Sequence, residues 1–190
     1  MTTGNNNPGA VLLQNGQVFV TANLNLYNPS TGSWSTITNA PSPRGADPLA
    51  LLPNGNVWLG GNATGDSLYN PSTNQWTTFA PPPCTISYPP SRSQSCQVAG
   101  ALLNTGKVLV AGGATFVPAQ PYPIEETNGL ADLFDPSTLT WTSTGSMHTS
   151  RLAETMTVLS NGQVLVAGGE TFDRHVGHLV PIASAELYTP

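Results

Sequence analysis

One motif recurs four times along this 190-residue chain and leaves few folds open. A short apolar run ends in a polar–glycine pair, and a second apolar run follows at once. The first copy is Val11-Leu12-Leu13, Asn15-Gly16, Val18-Phe19-Val20, and the second runs from Leu49 to Leu52, then Asn54-Gly55, then Val57-Trp58-Leu59. The third is Ala101-Leu102-Leu103, Thr105-Gly106, Val108-Leu109-Val110, and the fourth runs from Met156 to Leu159, then Asn161-Gly162, then Val164-Leu165-Val166. Asn-Gly between apolar runs is a strong hairpin signal, and it predicts a type I′ turn with positive φ at both central residues. Each copy is read as the two inner strands, A and B, of one repeated sheet.

A second hairpin follows. Tyr27 precedes Trp34, Tyr69 precedes Trp76 and Phe134 precedes Trp141, each by 7 residues. Between them lie Asn28-Pro29-Ser30-Thr31, Asn70-Pro71-Ser72-Thr73 and Asp135-Pro136-Ser137-Thr138. Asn or Asp before proline suits positions i and i+1 of a type I turn, and proline there would break a central strand. These segments supply strands C and D, with aromatics placed to pack between neighbouring sheets. The turn glycines Gly16, Gly55, Gly106 and Gly162 stand 39, 51 and 56 residues apart. The extra length falls in the B-to-C connections of the last two repeats. Thr115-Phe116 and Thr171-Phe172 open these connections and Pro123-Ile124 and Pro181-Ile182 lie late in them, so the two loops read as copies.

Composition agrees with a sheet protein. Charged residues are 8% of the chain, against about 25% in ordinary soluble domains. The surface is therefore Ser, Thr, Asn, Gln, Gly and Pro, which favour turns and strands, and the 18 prolines oppose long helices. Net charge is −5, and no cluster of Lys and Arg offers a nucleic-acid footprint. No apolar run reaches the length of a membrane span. Met1 to Pro8 is polar and lacks the apolar core of a signal peptide. That leaves a cytosolic chain, or one whose leader has been lost or was never included.

Val108 to Gly113 and Val164 to Gly169 each end a hydrophobic run in paired glycines, with Phe134 and then Trp141 downstream of the first and Tyr188 downstream of the second. In this the chain resembles Kelch-repeat β-propellers. Gly145-Ser146-Met147 followed by Arg151 resembles the blade-to-blade link of bacterial Kelch proteins and of galactose-oxidase-like propellers. Repeat one departs from the pattern, with Thr21-Ala22 where paired glycines are expected, while repeat two keeps Gly60-Gly61. The resemblance implies an all-β, Kelch-type β-propeller: one partial domain over 1–190 with blades at about 9–43, 44–91, 92–150 and 151–190. Glu186-Leu187-Tyr188 supplies strand C of blade four, and no D strand follows it. Kelch rings hold more blades, so the chain is expected to be part of a longer propeller, or a second copy completes the ring.

Candidate site residues follow. Arg44, Arg92 and Arg151 recur before strand A. In Kelch proteins that link lies beside the B-to-C loops at the channel mouth, and in galactose-oxidase-like propellers an arginine matching Arg151 contacts substrate. Three guanidiniums on one rim suit carboxylates or sugar hydroxyls. The alternative is structural, each arginine capping carbonyls or pairing with an acid such as Asp47 or Glu154. His148 lies near Arg151 and is a further rim candidate. Asp173, His175 and His178, with Glu170 upstream, are a set of zinc or copper ligand types, or else a solvated loop. Cys84 and Cys96 either form a disulfide that closes the Pro/Ser-rich stretch between them, worth about 2–3 kcal/mol, or stay as free thiols. A disulfide and a low-charge surface together favour a secreted or extracellular protein. Asn62-Ala63-Thr64 is a formal glycosylation sequon.

Copper radical oxidases of the galactose-oxidase type need two tyrosine and two histidine ligands. Here Tyr27, Tyr69 and Tyr188 hold packing positions, Tyr88 lies near the cysteines, and no stretch reproduces the ligand motif. No cofactor is expected. The leading expectation is a non-catalytic scaffold whose D–A and B–C loops bind a protein or carbohydrate. The alternatives are a fragment of a sugar-processing Kelch enzyme with its catalytic residues elsewhere, and a structural or adhesive surface protein.

Overall fold

A computed structural model describes residues 9–21, 24–41, 48–60, 65–82, 94–95, 99–117 and 124–190. The chain forms two compact units, Met1–Ala80 and Pro81–Pro190. In the first, β1 (Ala10–Leu12), β2 (Val18–Val20), β3 (Asn25–Asn28) and β4 (Ser33–Thr36) form one antiparallel sheet in chain order. A second sheet holds β5 (Leu49–Leu51), β6 (Val57–Leu59), β7 (Asp66–Asn70) and β8 (Gln75–Phe79). The second unit contains β9 (Gln94–Ser95), β10 (Ala99–Leu102), β11 (Val108–Ala111), β12 (Ala114–Val117), β13 (Ile124–Thr127), β14 (Ala131–Asp135) and β15 (Thr140–Ser143). It continues with β16 (Thr155–Val158), β17 (Val164–Ala167), β18 (Glu170–Asp173), β19 (His178–Pro181) and β20 (Ala185–Tyr188). Its blade sheets are β10-β11-β14-β15 and β16-β17-β20. The described residues are all-β without a helix: four consecutive propeller-type blades, the fourth with three strands.

The A–B hairpins form where expected, but their turns are not type I′. Positive φ falls only on the glycine, at 83° in Gly16, 85° in Gly55, 82° in Gly106 and 86° in Gly162. In the first hairpin Gly16 N–H donates to Leu13 C=O at 3.0 Å and Leu13 N–H to Gln17 C=O at 2.8 Å. That is a three-residue loop closed by a glycine bulge. The Asn side chain, rather than its backbone, does the polar work. Gln17 N–H donates to Asn15 Oδ1 at 3.0 Å, and Gln163 N–H to Asn161 Oδ1 at 3.0 Å. The geometry explains why Thr105 is tolerated in the third copy, since its position needs no left-handed backbone. The C–D turns carry Asx bonds, from Ser30 N–H to Asn28 Oδ1 and from Ser137 N–H to Asp135 Oδ1.

The seven-residue aromatic spacing becomes a cross-strand pair in each complete blade. Tyr27–Trp34, Tyr69–Trp76 and Phe134–Trp141 lie 4.9, 4.9 and 5.1 Å apart between ring centroids. In the first unit Phe19 meets Tyr69 of the next blade at 5.5 Å, inside a core that includes Leu13, Leu24, Ile37, Val57 and Leu59. In the second unit Leu103, Leu109, Ala111, Ala131, Val164 and Val166 form the corresponding core. Burying each large side chain contributes about 1.5–3 kcal/mol.

The long B–C connections are not plain loops. β12 pairs with β13 and also with β9, and β18 pairs with β19. Thr127 Oγ1 lies 3.1 Å from Thr171 Oγ1 and accepts from Phe172 N–H at 3.3 Å, so hairpins of two adjacent blades are joined side by side.

Candidate functional site

Arg151 sits in the link between β15 and β16, and its residue is 0% exposed. Its Nη1 donates to Gly168 C=O at 2.9 Å and to Ser184 C=O at 3.0 Å. Its Nη2 donates to Ser184 Oγ at 3.1 Å and to Glu186 Oε1 at 2.9 Å. The guanidinium thus ties the blade link to both ends of the β18–β19 hairpin insertion and to β20, and presents no donor to solvent. The acid it pairs with is Glu186. Burial alone would raise the Glu186 carboxyl. N–H bonds from His148 and Thr149 and the Arg151 pairing outweigh it and hold the group at about 2. His148 is exposed, its ring Nδ1 lying 3.3 Å from Glu186 Oε2.

Glu154 lies over Gly112, where an added Cβ would meet Glu154 Oε1 and, at 2.7 Å, Arg151 C=O. It is 6% exposed, and neither carboxylate oxygen has a hydrogen-bond partner outside its own backbone. Burial lifts its pKa to about 7, against a smaller lowering from the Arg151 charge. A carboxyl raised in the folded state favours folding fully below its ordinary value and loses that contribution as pH rises to about 7. Glu154→Gln is therefore expected to match the parent protein near pH 4.5 and to exceed its stability at pH 8 by about 1–3 kcal/mol. Urea unfolding at the two pH values checks this. Equal gains at both would assign the effect to packing rather than ionisation.

Asp173, His175 and His178 share the β18–β19 hairpin: Asp173 ends β18, His178 opens β19 and His175 lies in the turn between. Asp173 Oδ1 accepts from His175 N–H at 2.7 Å, and His178 Nδ1 lies 2.9 Å from Leu179 C=O. Among the described residues no group of three or more His, Cys, Asp or Glu is arranged to hold a metal ion. Arg44, Arg92, Cys84 and Cys96 lie outside the described residues.

The sequence reading missed Ser184 and Glu186 as partners of Arg151, and missed the paired hairpins. A signal for the latter was present: Thr171-Phe172 and Leu179-Val180 flank a turn that ends in Gly177 at φ +74°, which is hairpin chemistry. Among the described residues no helix is long and apolar enough to cross a membrane. A scan against protein-family models matches no family, and a search of curated proteins finds no match.

Proposed function

We propose that the chain is a non-catalytic binding scaffold of Kelch type, secreted or extracellular, whose joined B–C hairpins present a recognition surface to a carbohydrate or protein. One observation carries this reading: the Thr127–Thr171 contact makes one support of two hairpins from adjacent blades. Elements held this way present side chains at low entropic cost, which favours recognition. The tip offers His175 and His178 as exposed donors and acceptors beside Val176, which is 54% exposed. The tip also carries Asp173 and the exposed Arg174, so hydrogen bonding, ionic contact and apolar contact would all contribute, as suits sugar hydroxyls and ring faces in neutral or acidic sugars. Arg151 takes no direct part, because its donors are engaged within the blade.

An immobilised panel of neutral and acidic oligosaccharides tests the carbohydrate form. Binding of the parent protein is expected to fall about tenfold or more in His175→Ala/His178→Ala, with an unchanged melting temperature. A blank panel would remove the carbohydrate form. Binding that ignores the double substitution would remove the hairpin tip as the site.

A further inference from the structure

Asn-Gly occurs at Asn15-Gly16, Asn54-Gly55, Asn128-Gly129 and Asn161-Gly162. The pair carries a latent reaction. The glycine peptide nitrogen, unshielded by a Cβ, attacks the asparagine Cγ and closes a succinimide ring. The Cγ–Nδ2 bond breaks, the glycine N–H proton passes to the departing nitrogen, and ammonia leaves. Water then opens the ring at either carbonyl and leaves aspartate or isoaspartate. For ring closure the carboxamide must swing onto the glycine nitrogen, and that nitrogen must release its proton. Hydrogen bonds on either group oppose the step.

The A–B turns of blades one, two and four hold both groups alike, except for one bond. Gly16, Gly55 and Gly162 N–H donate to Leu13, Leu52 and Leu159 C=O at 3.0, 2.9 and 2.9 Å. Asn15, Asn54 and Asn161 Oδ1 accept from the N–H two residues on, at 3.0, 3.1 and 3.0 Å. The difference lies at Nδ2. Asn15 Nδ2 donates to Gln17 Oε1 at 3.0 Å, and Asn161 Nδ2 to Gln163 Oε1 at 2.7 Å. In blade two the matching residue is Asn56, a shorter side chain, and no described residue accepts from Asn54 Nδ2. The Asn54 carboxamide is thus fixed at one end only. Asn128 is restrained by its backbone instead, and it is 9% exposed. Its C=O accepts from Arg151 N–H at 3.2 Å, and Gly129 C=O accepts from Met147 N–H at 2.7 Å. The peptides on both sides of Gly129 are pinned, which bars the rotation that brings its nitrogen onto Cγ.

We propose that Asn54 is a site of spontaneous deamidation, converting ahead of the other three Asn-Gly pairs in the folded protein. The product alters a groove of about 350 Å³ bordered by the A–B turns of blades one and two, whose lining includes Gln14, Asn15, Asn54, Asn70 and Ser72 and no charged residue. Aspartate introduces a negative charge there and can still accept from Asn56 N–H. Isoaspartate inserts the β-carbon into the main chain of a turn closed by Leu52 N–H to Asn56 C=O at 2.8 Å, and so loosens the hairpin. The reaction is independent of recognition at the hairpin tip.

To test this, the 190-residue protein is incubated folded, and separately unfolded in urea, in heavy-oxygen water at mildly alkaline pH. Tandem mass spectrometry of its proteolytic peptides reads label uptake at each asparagine, and the urea rates remove the effect of flanking sequence. Relative to its unfolded rate, Asn54 is expected to convert about two- to tenfold faster than Asn15 and Asn161, the range that one hydrogen bond accounts for. Asn128 is expected to be the slowest. Asn56→Gln, which supplies the missing acceptor, should bring Asn54 down to the rate of Asn15. Gln17→Ala, which keeps its N–H, should raise Asn15 toward Asn54. Equal relative rates at the three turns, or an Asn54 rate that ignores Asn56→Gln, would overturn the proposal. So would conversion of Asn128 first, which would show that the Nδ2 bond does not decide the order.

Discussion

Arg151→Ala is expected to destabilise the Pro81–Pro190 unit by about 3–5 kcal/mol, because it removes the cationic partner of the Glu186 carboxylate and leaves the Gly168 carbonyl without its donor. The guanidinium is fully buried and gives four bonds of 3.1 Å or less. Its removal leaves the Gly168 carbonyl without its donor, the Ser184 carbonyl with only the Gly168 N–H, and Glu186 Oε1 with only the Thr149 N–H. The Glu186 side chain is 18% exposed, so water replaces little of what is lost. A surface pair sets the contrast: Lys107 and Asp135 meet at 3.4 Å with side chains 43% and 28% exposed, and such pairs contribute about 0–1 kcal/mol. Hydrogen exchange over residues 151–188 should report the loss in Arg151→Ala and leave the first unit unchanged. Arg151→Lys should recover part of the charge pairing but not the bonds to both carbonyls, since an ammonium lacks the planar fork. A loss below about 1 kcal/mol would contradict the geometry.

The same pair sets an acid limit. The Glu186 carboxyl lies below its ordinary value, so its contribution is complete above about pH 4.5 and is lost as pH falls toward about 2. In Arg151→Ala one of the interactions that lowers the group disappears, so the loss on acidification should be smaller and should be complete at a higher pH. Glu154 acts in the opposite sense, its contribution fading as pH rises to about 7. The two carboxyls together place the highest stability of this unit on the mildly acidic side of neutrality.

These features differ in how far a linear reading reaches them. The hairpins and aromatic pairs were legible because each rests on residues close in sequence: the turn glycine, the Asx–Pro pair, and Tyr and Trp 7 apart. The turn type was not, since Asn15 can serve by backbone or by side chain, and only the closed hairpin shows that its Oδ1 takes the Gln17 N–H. Arg151 stood out as a repeated position, yet Ser184 and Glu186 lie 33 and 35 residues away across the hairpin insertion. No local spacing joins them, and Glu154 is nearer in the chain, so it was the acid that local reasoning named. The paired hairpins escaped for a related reason, because Thr127 and Thr171 are 44 residues apart and neither is unusual alone.

Gly169→Ala is the second large effect expected, at about 3–4 kcal/mol from backbone strain and lost hydrogen bonds. Gly169 has φ +89°, and an added Cβ would stand 2.5 Å from Leu152 C=O and 3.0 Å from Glu154 N. Both are backbone atoms, so no rotamer change relieves the overlap. The segment must move, and it is held by reciprocal bonds of 2.9 Å between Leu152 and Glu170 and by Ile182 N–H to Gly169 C=O at 3.0 Å. Displacement also draws Gly168 C=O away from Arg151, so the two substitutions should be less than additive in the double variant. Gly177→Ala separates strain from collision. Its φ is +74° and an added Cβ meets nothing within 4 Å, so only the left-handed backbone cost of about 1–2 kcal/mol applies. Urea midpoints of the two variants should therefore differ clearly. Equal losses would mean that backbone strain alone requires the second glycine of the pair, and that its close approach to the blade link contributes nothing.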